Sequence, residues 1–180
     1  MLDAAGYAKD ANGVRMRAVL DIIPYGEDWR RAGEYLKQVM GDIGIEVELR
    51  YEDVPTWLKR VYHNYDFEMN INYFYQLPDP VLGVHRHYGT NQIRQGTHFV
   101  NSSRYSNPEL DALLDSGSKE PDAAKRTATY KEVQEILAQD MPVVNLFELE
   151  FLTVYNTQLK GAYGSAMGAY GSFREAWLDD

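Results

Sequence analysis

The sequence predicts an α/β fold in which helices flank a mixed sheet. Apolar residues alternate over 14–23, recur at helical spacing over 27–43 and alternate again over 45–49. The chain therefore passes from strand to helix to strand, a unit that normally places its two strands parallel. A further helix over 54–62 and a third strand over 66–74 complete a β-α-β-α-β order. That order is typical of a sheet covered by helices.

Local signals set the ends of these elements. Residues 2–7 are interpreted as the end of a helix that stops at Gly6. Gly44 is expected to end the helix over 27–43. Asp53 is the expected N-cap of the next helix, with Pro55 in its first turn.

The second half of the chain is less regular. We expect a short helix over 81–88 and then a long polar loop over 89–105, a length that usually indicates function or packing against a partner. Two helices follow, one from Asn107 to about Ser116 and one after Pro121 to about Gln139. Residues 143–155 are β-prone and predict one or two strands.

Composition limits the classes of function. The chain has 180 residues, 44% of them hydrophobic, which suffices for one core but not for two full domains. A net charge of −9 argues against nucleic acid as a partner, because phosphate backbones require clustered Lys and Arg. The absence of cysteine excludes disulfides and Cys-based metal sites. The residues after Met1 lack the pattern of a signal peptide, so export would depend on a segment outside this sequence.

Several motifs, taken in order, resemble the C-terminal part of the family 5 extracellular solute-binding proteins. These are the dipeptide, oligopeptide and nickel-complex receptors of ABC importers. The motifs cover nearly the whole chain and are Leu2–Tyr7 with Gly13, the Leu36–Val47 stretch, Asp79-Pro80, the run from Asn101 through Asn107-Pro108-Glu109 to Leu114, and Arg126 through Tyr130 and Gln134 to Pro142.

The resemblance implies the second lobe of a periplasmic-binding-protein type II fold. Residues 1–156 would form that lobe, and residues 157–180 would return to pack on a first lobe outside this chain. The implied function is reversible capture of a small polar solute, peptide-like or sugar- or opine-like, in a cleft between the lobes. Delivery to an ABC permease, a periplasmic or cell-surface location and the absence of a cofactor follow from the same resemblance.

The candidate ligand site lies where the third strand ends, since clefts of α/β proteins form at the carboxyl ends of parallel strands. Tyr73, Phe74, Tyr75 and Gln76 offer aromatic walls and an amide that both donates and accepts. The aromatic residues could equally fill the core by strand alternation. In peptide-binding members of the family, an Asp at the position of Gln76 holds the ligand's amino group. A neutral amide here therefore favours a sugar, an opine-like conjugate or a blocked peptide.

Three further residues are candidates with structural alternatives. Asp79 could contact ligand or could serve a local turn before Pro80. Arg104, like Arg86 and Arg94, could meet an anionic group or could be a solvated surface residue. Asn101 in the polar loop could donate a hydrogen bond to a ligand.

Metal and enzyme chemistry find little support in the sequence. His85 and His87 are two residues apart on a predicted helix and point to different faces, while His63 and His98 are distant in sequence, so no metal site is expected. Glu148 and Glu150 could mimic a catalytic carboxylate pair, but charges on a strand edge explain them equally well. A hydrolase is thus the weaker alternative, and a ligand sensor of the same fold is an alternative to transport.

Overall fold

The computed structural model describes residues 1–150, 152–162, 167 and 170–179. The chain divides into two compact units. The first unit comprises Met1–Phe74 and Arg86–Asn107, and the second comprises Tyr75–His85 and Pro108–Asp180. The α/β class expected from the sequence is confirmed.

The first unit is built on a parallel sheet in the order β2-β1-β3. Strand β1 (Met16–Ile22) pairs over its full length with β2 (Ile45–Tyr51), and its second half pairs with β3 (Met69–Ile71). The predicted parallel strand–helix–strand unit is therefore confirmed. The buried core of this unit comprises Leu20, Ile22, Ile23, Trp29, Ile45, Val47, Trp57, Val61, Tyr62, Ile71 and Val100.

Helix α1 (Glu27–Asp42) joins β1 to β2 and lies within one residue of its predicted bounds. It buries Trp29 and Gly33, one turn apart, so a single stripe of the helix faces the sheet. Gly44 follows the helix with φ 90°, a left-handed conformation that glycine adopts without a Cβ penalty. A Cβ there would also lie 2.9 Å from the carbonyl oxygen of Gly13. The predicted stop at Gly44 is thereby explained.

The connection to β3 begins with the short helix α2 (Val54–Leu58) and continues as one π-helical segment, Lys59–Asn64. The predicted cap is present, because the Asp53 side chain accepts a hydrogen bond from the Thr56 backbone N–H at 2.8 Å. Strand β3 is shorter than the predicted 66–74. Beyond its last residue, the side chain of Asn72 accepts a bond from the backbone N–H of Tyr73 at 2.8 Å, and such local bonds compete with strand pairing.

Two secondary-structure predictions are wrong. Residues 2–7 form turns, with Gly6 at φ 91°, and not a helix end. The described part of the β-prone segment 143–155 contains no strand; Phe151, within it, lies outside the described residues. A strand needs a neighbour to satisfy its backbone groups. In the described part of the chain, no other strand pairs with this segment.

The second unit is largely helical. Helices α4 (Pro108–Lys119) and α5 (Ala123–Asp140) bury Leu110, Leu114 and Val133. A two-residue antiparallel ladder pairs β4 (Leu159–Lys160) with β5 (Trp177–Leu178). In chain order, β3 is followed by a 3₁₀ turn (Pro80–Leu82), the short helix α3 (Val84–Tyr88) and, in the long polar loop of the first unit, a further 3₁₀ turn (Thr90–Gln92).

Candidate functional site

Three aromatic residues meet beyond the carboxyl ends of β1 and β3. The ring of Tyr73 stacks on Trp29, with centroids 5.4 Å apart and planes at 25°, and forms an edge-to-face pair with Tyr25, with centroids 5.9 Å apart. Trp29 is buried and Tyr73 half-buried, whereas Tyr25 is 40% exposed. We call Tyr25, Trp29 and Tyr73 the aromatic platform.

The aromatic platform includes two residues that the sequence analysis did not assign to the site. Trp29 lies in the predicted helix over 27–43 and Tyr25 in the break between that helix and the first predicted strand, and neither position by itself indicates a ligand site. The sequence did contain a signal for this cluster. Tyr25 follows β1 and Tyr73 follows β3, and the carboxyl ends of two neighbouring parallel strands meet at one edge of the sheet. Of the predicted site residues, Tyr73 belongs to the aromatic platform, where its ring contacts buried Trp29 and exposed Tyr25.

Phe74, the next residue, packs against a buried histidine. Its ring centroid lies 3.8 Å from that of His87, which is 4% exposed. Burial, together with the positive charge of Arg86, lowers the pKa of His87 to about 3. His87 is therefore neutral at physiological pH, and Phe74 rests on an uncharged, apolar neighbour.

Tyr75 and Gln76 belong to the second unit. Both are exposed, and the Tyr75 ring contacts Tyr170 edge-on with centroids 6.4 Å apart. Gln76 lies against Gly83, where a Cβ would come within 2.4 Å of the Gln76 Oε1 atom. Residue 83 must therefore be small for the Gln76 side chain to occupy this position.

Asp79 stabilises the local turn at Pro80, which was the alternative to a ligand contact. Its carboxylate accepts a hydrogen bond from the Val81 N–H at 2.9 Å and caps the 3₁₀ turn. Arg126 binds both carboxylate oxygens, at 2.7 and 2.9 Å. Hydrogen bonding to Arg126 holds the pKa of Asp79 below its usual value. A ligand contact by Asp79 stays a prediction.

Asn101 organises the long polar loop from inside. It is 1% exposed, and its amide donates to the carbonyl oxygens of Gly89 at 3.1 Å and Tyr105 at 2.9 Å. Its side-chain oxygen accepts a bond from the Ser103 hydroxyl at 3.0 Å. These bonds give Asn101 a structural role, and a ligand contact by Asn101 is untested.

Arg104 is exposed and has a left-handed backbone, φ 58°. Its guanidinium lies over the ring of Tyr65, 5.2 Å from the centroid. This contact agrees with the surface alternative for Arg104, and its role toward an anionic ligand also stays a prediction.

The remaining polar candidates are dispersed. His85 bonds the Tyr130 hydroxyl at 2.8 Å, whereas His87 stacks on Phe74, so the two histidines have different surroundings. Within the described ranges, no group of three or more His, Asp or Glu side chains could hold a metal ion. None of the described helices is long and apolar enough to cross a membrane.

Comparison with known proteins adds a fold assignment. No protein-family model matches the sequence. Among curated proteins, the chain is similar to Protein XP55 of Streptomyces lividans, with 33% identity over 81 residues, which are 41% of this chain and 15% of that protein.

Solved structures match more of the chain. HbpA2 from Haemophilus parasuis has a TM-score of 0.72 and 20% identity, over 99% of this chain and 34% of that one. A periplasmic oligopeptide-binding protein from Thermotoga maritima with bound mannohexaose has a TM-score of 0.68 and 24% identity, over 78% and 28%. NikZ from Campylobacter jejuni, in complex with Ni(L-His), has a TM-score of 0.69 and 14% identity, over 78% and 29%.

The chain thus has the fold of one part of the ABC-transporter solute-binding proteins and spans about a third of the length of these structures. The resemblance expected from the sequence motifs is confirmed at the level of the fold. The matched proteins are binding proteins rather than enzymes.

Proposed function

We propose that this chain is the C-terminal lobe of an extracellular solute-binding protein, which captures a small polar solute and delivers it to an ABC permease in the membrane. The observation that carries the proposal is the aromatic platform at the carboxyl edge of the parallel sheet, in a chain with this fold. Solutes of α/β proteins bind at that edge. The location would be periplasmic or at the cell surface.

The ligand class is an uncharged or N-blocked polar solute. Gln76, exposed at the end of the third-strand segment, carries no charge to pair with a free amino group. Tyr25 and Tyr73 are partly exposed and have aromatic rings and hydroxyl groups, a combination that suits a sugar ring or a planar amide. The fold accommodates diverse solutes, since its solved examples include complexes with mannohexaose, Ni(L-His) and the peptide STSA.

Several apolar side chains are exposed on both sides of residue 156. In the β-prone segment, Leu152 is 90% and Val154 95% exposed, and in the tail Trp177 is 55% and Leu178 71% exposed. Contiguous exposed apolar residues usually indicate an interaction surface. We propose that residues 157–180 pack on a first lobe supplied by a longer polypeptide.

A thermal-shift screen of the full-length receptor tests this function. The ligands are sugars, opines, N-blocked peptides, free peptides and nickel complexes, since a ligand that binds the native state raises the melting temperature. We expect a shift with at least one uncharged or N-blocked solute, and its loss in Tyr73→Ala. Tyr35→Ala, an exposed tyrosine on α1, is the matched control and should retain the shift. No shift with any of these classes would contradict the proposal.

A further inference from the structure

His63 and His98, distant in sequence, lie side by side in the first unit. Their ring centroids are 5.5 Å apart, with planes inclined at 55°. Both residues are exposed. They line an open surface pocket of about 420 Å³ together with Pro55, Leu58 and Lys59. The expectation of no metal site rested in part on their separation along the chain, and the fold removes that separation.

The loop that carries His98 is fixed to the segment that carries His63. The Gly96 N–H donates to the Tyr62 carbonyl oxygen at 2.8 Å, and the Gln95 side chain donates to the His63 carbonyl oxygen at 2.6 Å. Gly96 has φ 82°, and a Cβ there would lie 3.2 Å from His63 Cε1. The ring of buried Tyr62 contacts that of His98 at 5.8 Å. The two imidazoles therefore have defined neighbouring positions.

We propose that His63 and His98 form a two-histidine site for a divalent transition-metal ion of the class that prefers imidazole: Zn²⁺, Ni²⁺ or Cu²⁺. An imidazole nitrogen binds such an ion at about 2.0–2.1 Å, which places the ring centroid about 3.2 Å from the metal. Two imidazoles on one tetrahedral or trigonal ion then have centroids roughly 5 to 5.5 Å apart. The observed separation matches that geometry.

The surroundings define what kind of site this is. The chain supplies two ligands, so the other positions are open to water or to a small chelating molecule, and binding is reversible. Lys59 lies in the pocket wall, and its ammonium group disfavours a bare cation while favouring an ion that carries an anionic coligand. This site is independent of the aromatic platform and of the proposed function.

Isothermal titration of the 180-residue chain with ZnCl₂, and separately with NiCl₂, tests the proposal. The variants are His63→Gln, His98→Gln and the double variant, with His85→Gln as control because His85 bonds Tyr130 elsewhere. We expect saturable binding of one ion per chain. Each single variant should weaken it by about tenfold or more, since loss of an outer-shell partner alone costs about 10–100-fold. His85→Gln should bind as the unchanged chain does.

Nuclear magnetic resonance provides a readout that does not depend on the variants folding. Substoichiometric Cu²⁺ should broaden the ring Cε1–H signals of His63 and His98 together and leave that of His85 unchanged. The proposal is overturned if the double variant binds Zn²⁺ and Ni²⁺ as tightly as the unchanged chain does. It is also overturned if Cu²⁺ broadens only one of the two rings, or broadens His85 equally.

Discussion

The carboxylate of Asp21 is fully buried beside the guanidinium of Arg50. Arg50 Nε lies 2.9 Å from Asp21 Oδ1, and Arg50 Nη2 donates to Oδ2 at 3.1 Å. The parallel register of β1 and β2 places these residues opposite each other. Arg60 approaches the same carboxylate at 3.8 Å and is itself paired with Glu52 at 2.7 Å. A buried charge requires such partners, and these two arginines supply them.

This arrangement predicts a pH dependence of stability. Burial raises the pKa of Asp21 from 3.8 to about 6, outweighing the opposite effect of Arg50 and Arg60. Between those values the unfolded chain releases the proton while the folded chain keeps it. The contribution of Asp21 to the free energy of unfolding therefore falls as pH rises from about 4 to about 6, by up to about 3 kcal/mol.

Urea denaturation of the unchanged chain and of Asp21→Asn, across that pH range, measures the effect. Other carboxylates titrate in both proteins, so subtracting the free energy of unfolding of Asp21→Asn from that of the unchanged chain isolates the contribution of Asp21. We expect that difference to decline with rising pH. A difference that is constant or increases would contradict the account.

Gly33 on α1 is packed too tightly to accept a larger side chain, and Gly41 on the same helix provides a control. A Cβ at Gly33 would lie 2.5 Å from Cδ1 of buried Ile22, whereas at Gly41 on the same helix it would meet nothing within 4 Å. Gly33→Ala should lower the free energy of unfolding by about 1–3 kcal/mol through overpacking. Gly41→Ala should raise it by about 0.4–1 kcal/mol through helix propensity and chain entropy.

Denaturation of both glycine variants, of Ile22→Val and of the double variant Gly33→Ala/Ile22→Val tests the cause. Valine removes the clashing Cδ1 atom, so the double variant should lose less than the sum of the two single changes. Additive losses would show that Gly33 acts through something other than Ile22.

Asn101→Ala should destabilise the loop-bearing unit. The change removes donors from the carbonyl oxygens of Gly89 and Tyr105, at a cost of about 1–3 kcal/mol in the free energy of unfolding. Asn91→Ala, an exposed change in the same loop, should stay within about 0.5 kcal/mol. If Asn101→Ala keeps its stability but weakens ligand binding in the full-length receptor, the role of Asn101 is in the site and not in the loop.

The pKa of Asp79 is expected to depend on its pairing with Arg126. Arg126→Gln removes the bidentate pair, so the pKa of Asp79 should rise toward the ordinary 3.8. Carboxyl ¹³C titration by nuclear magnetic resonance measures this change. Lys125→Gln, on the neighbouring position of α5, should leave the titration of Asp79 where it was. Equal effects of the two variants would mean that general charge, and not the pair, controls Asp79.

The sequence predicted those helices and strands whose own residues show a regular apolar pattern or a typical cap. Strand β1, helix α1 and strand β2 have alternating or helical apolar patterns, and Asp53 and Gly44 act as the caps that their types favour. These features depend on short-range sequence, and for that reason they were predictable.

Features that depend on tertiary neighbours were not predictable. The segment 143–155 has strand-like residues, but a strand also needs a partner, which composition cannot supply. Trp29 lies in a helix that was predicted, yet its contact with Tyr73 depends on the order of the strands. The proximity of His63 and His98 likewise arises from the bonds between Gln95, Gly96 and the π-helical segment.

The proposed capture of an uncharged or N-blocked solute depends most on the neutral side chain of Gln76. Isothermal titration of the full-length receptor, with the free and the N-acetylated form of one ligand found in the screen, tests it most directly. We expect the unchanged receptor to bind the acetylated form more tightly, and Gln76→Asp to reverse the preference by at least about tenfold, because an aspartate adds a charge-assisted bond to the amine. Tighter binding of the free amine by the unchanged receptor, with no effect of Gln76→Asp, would contradict it.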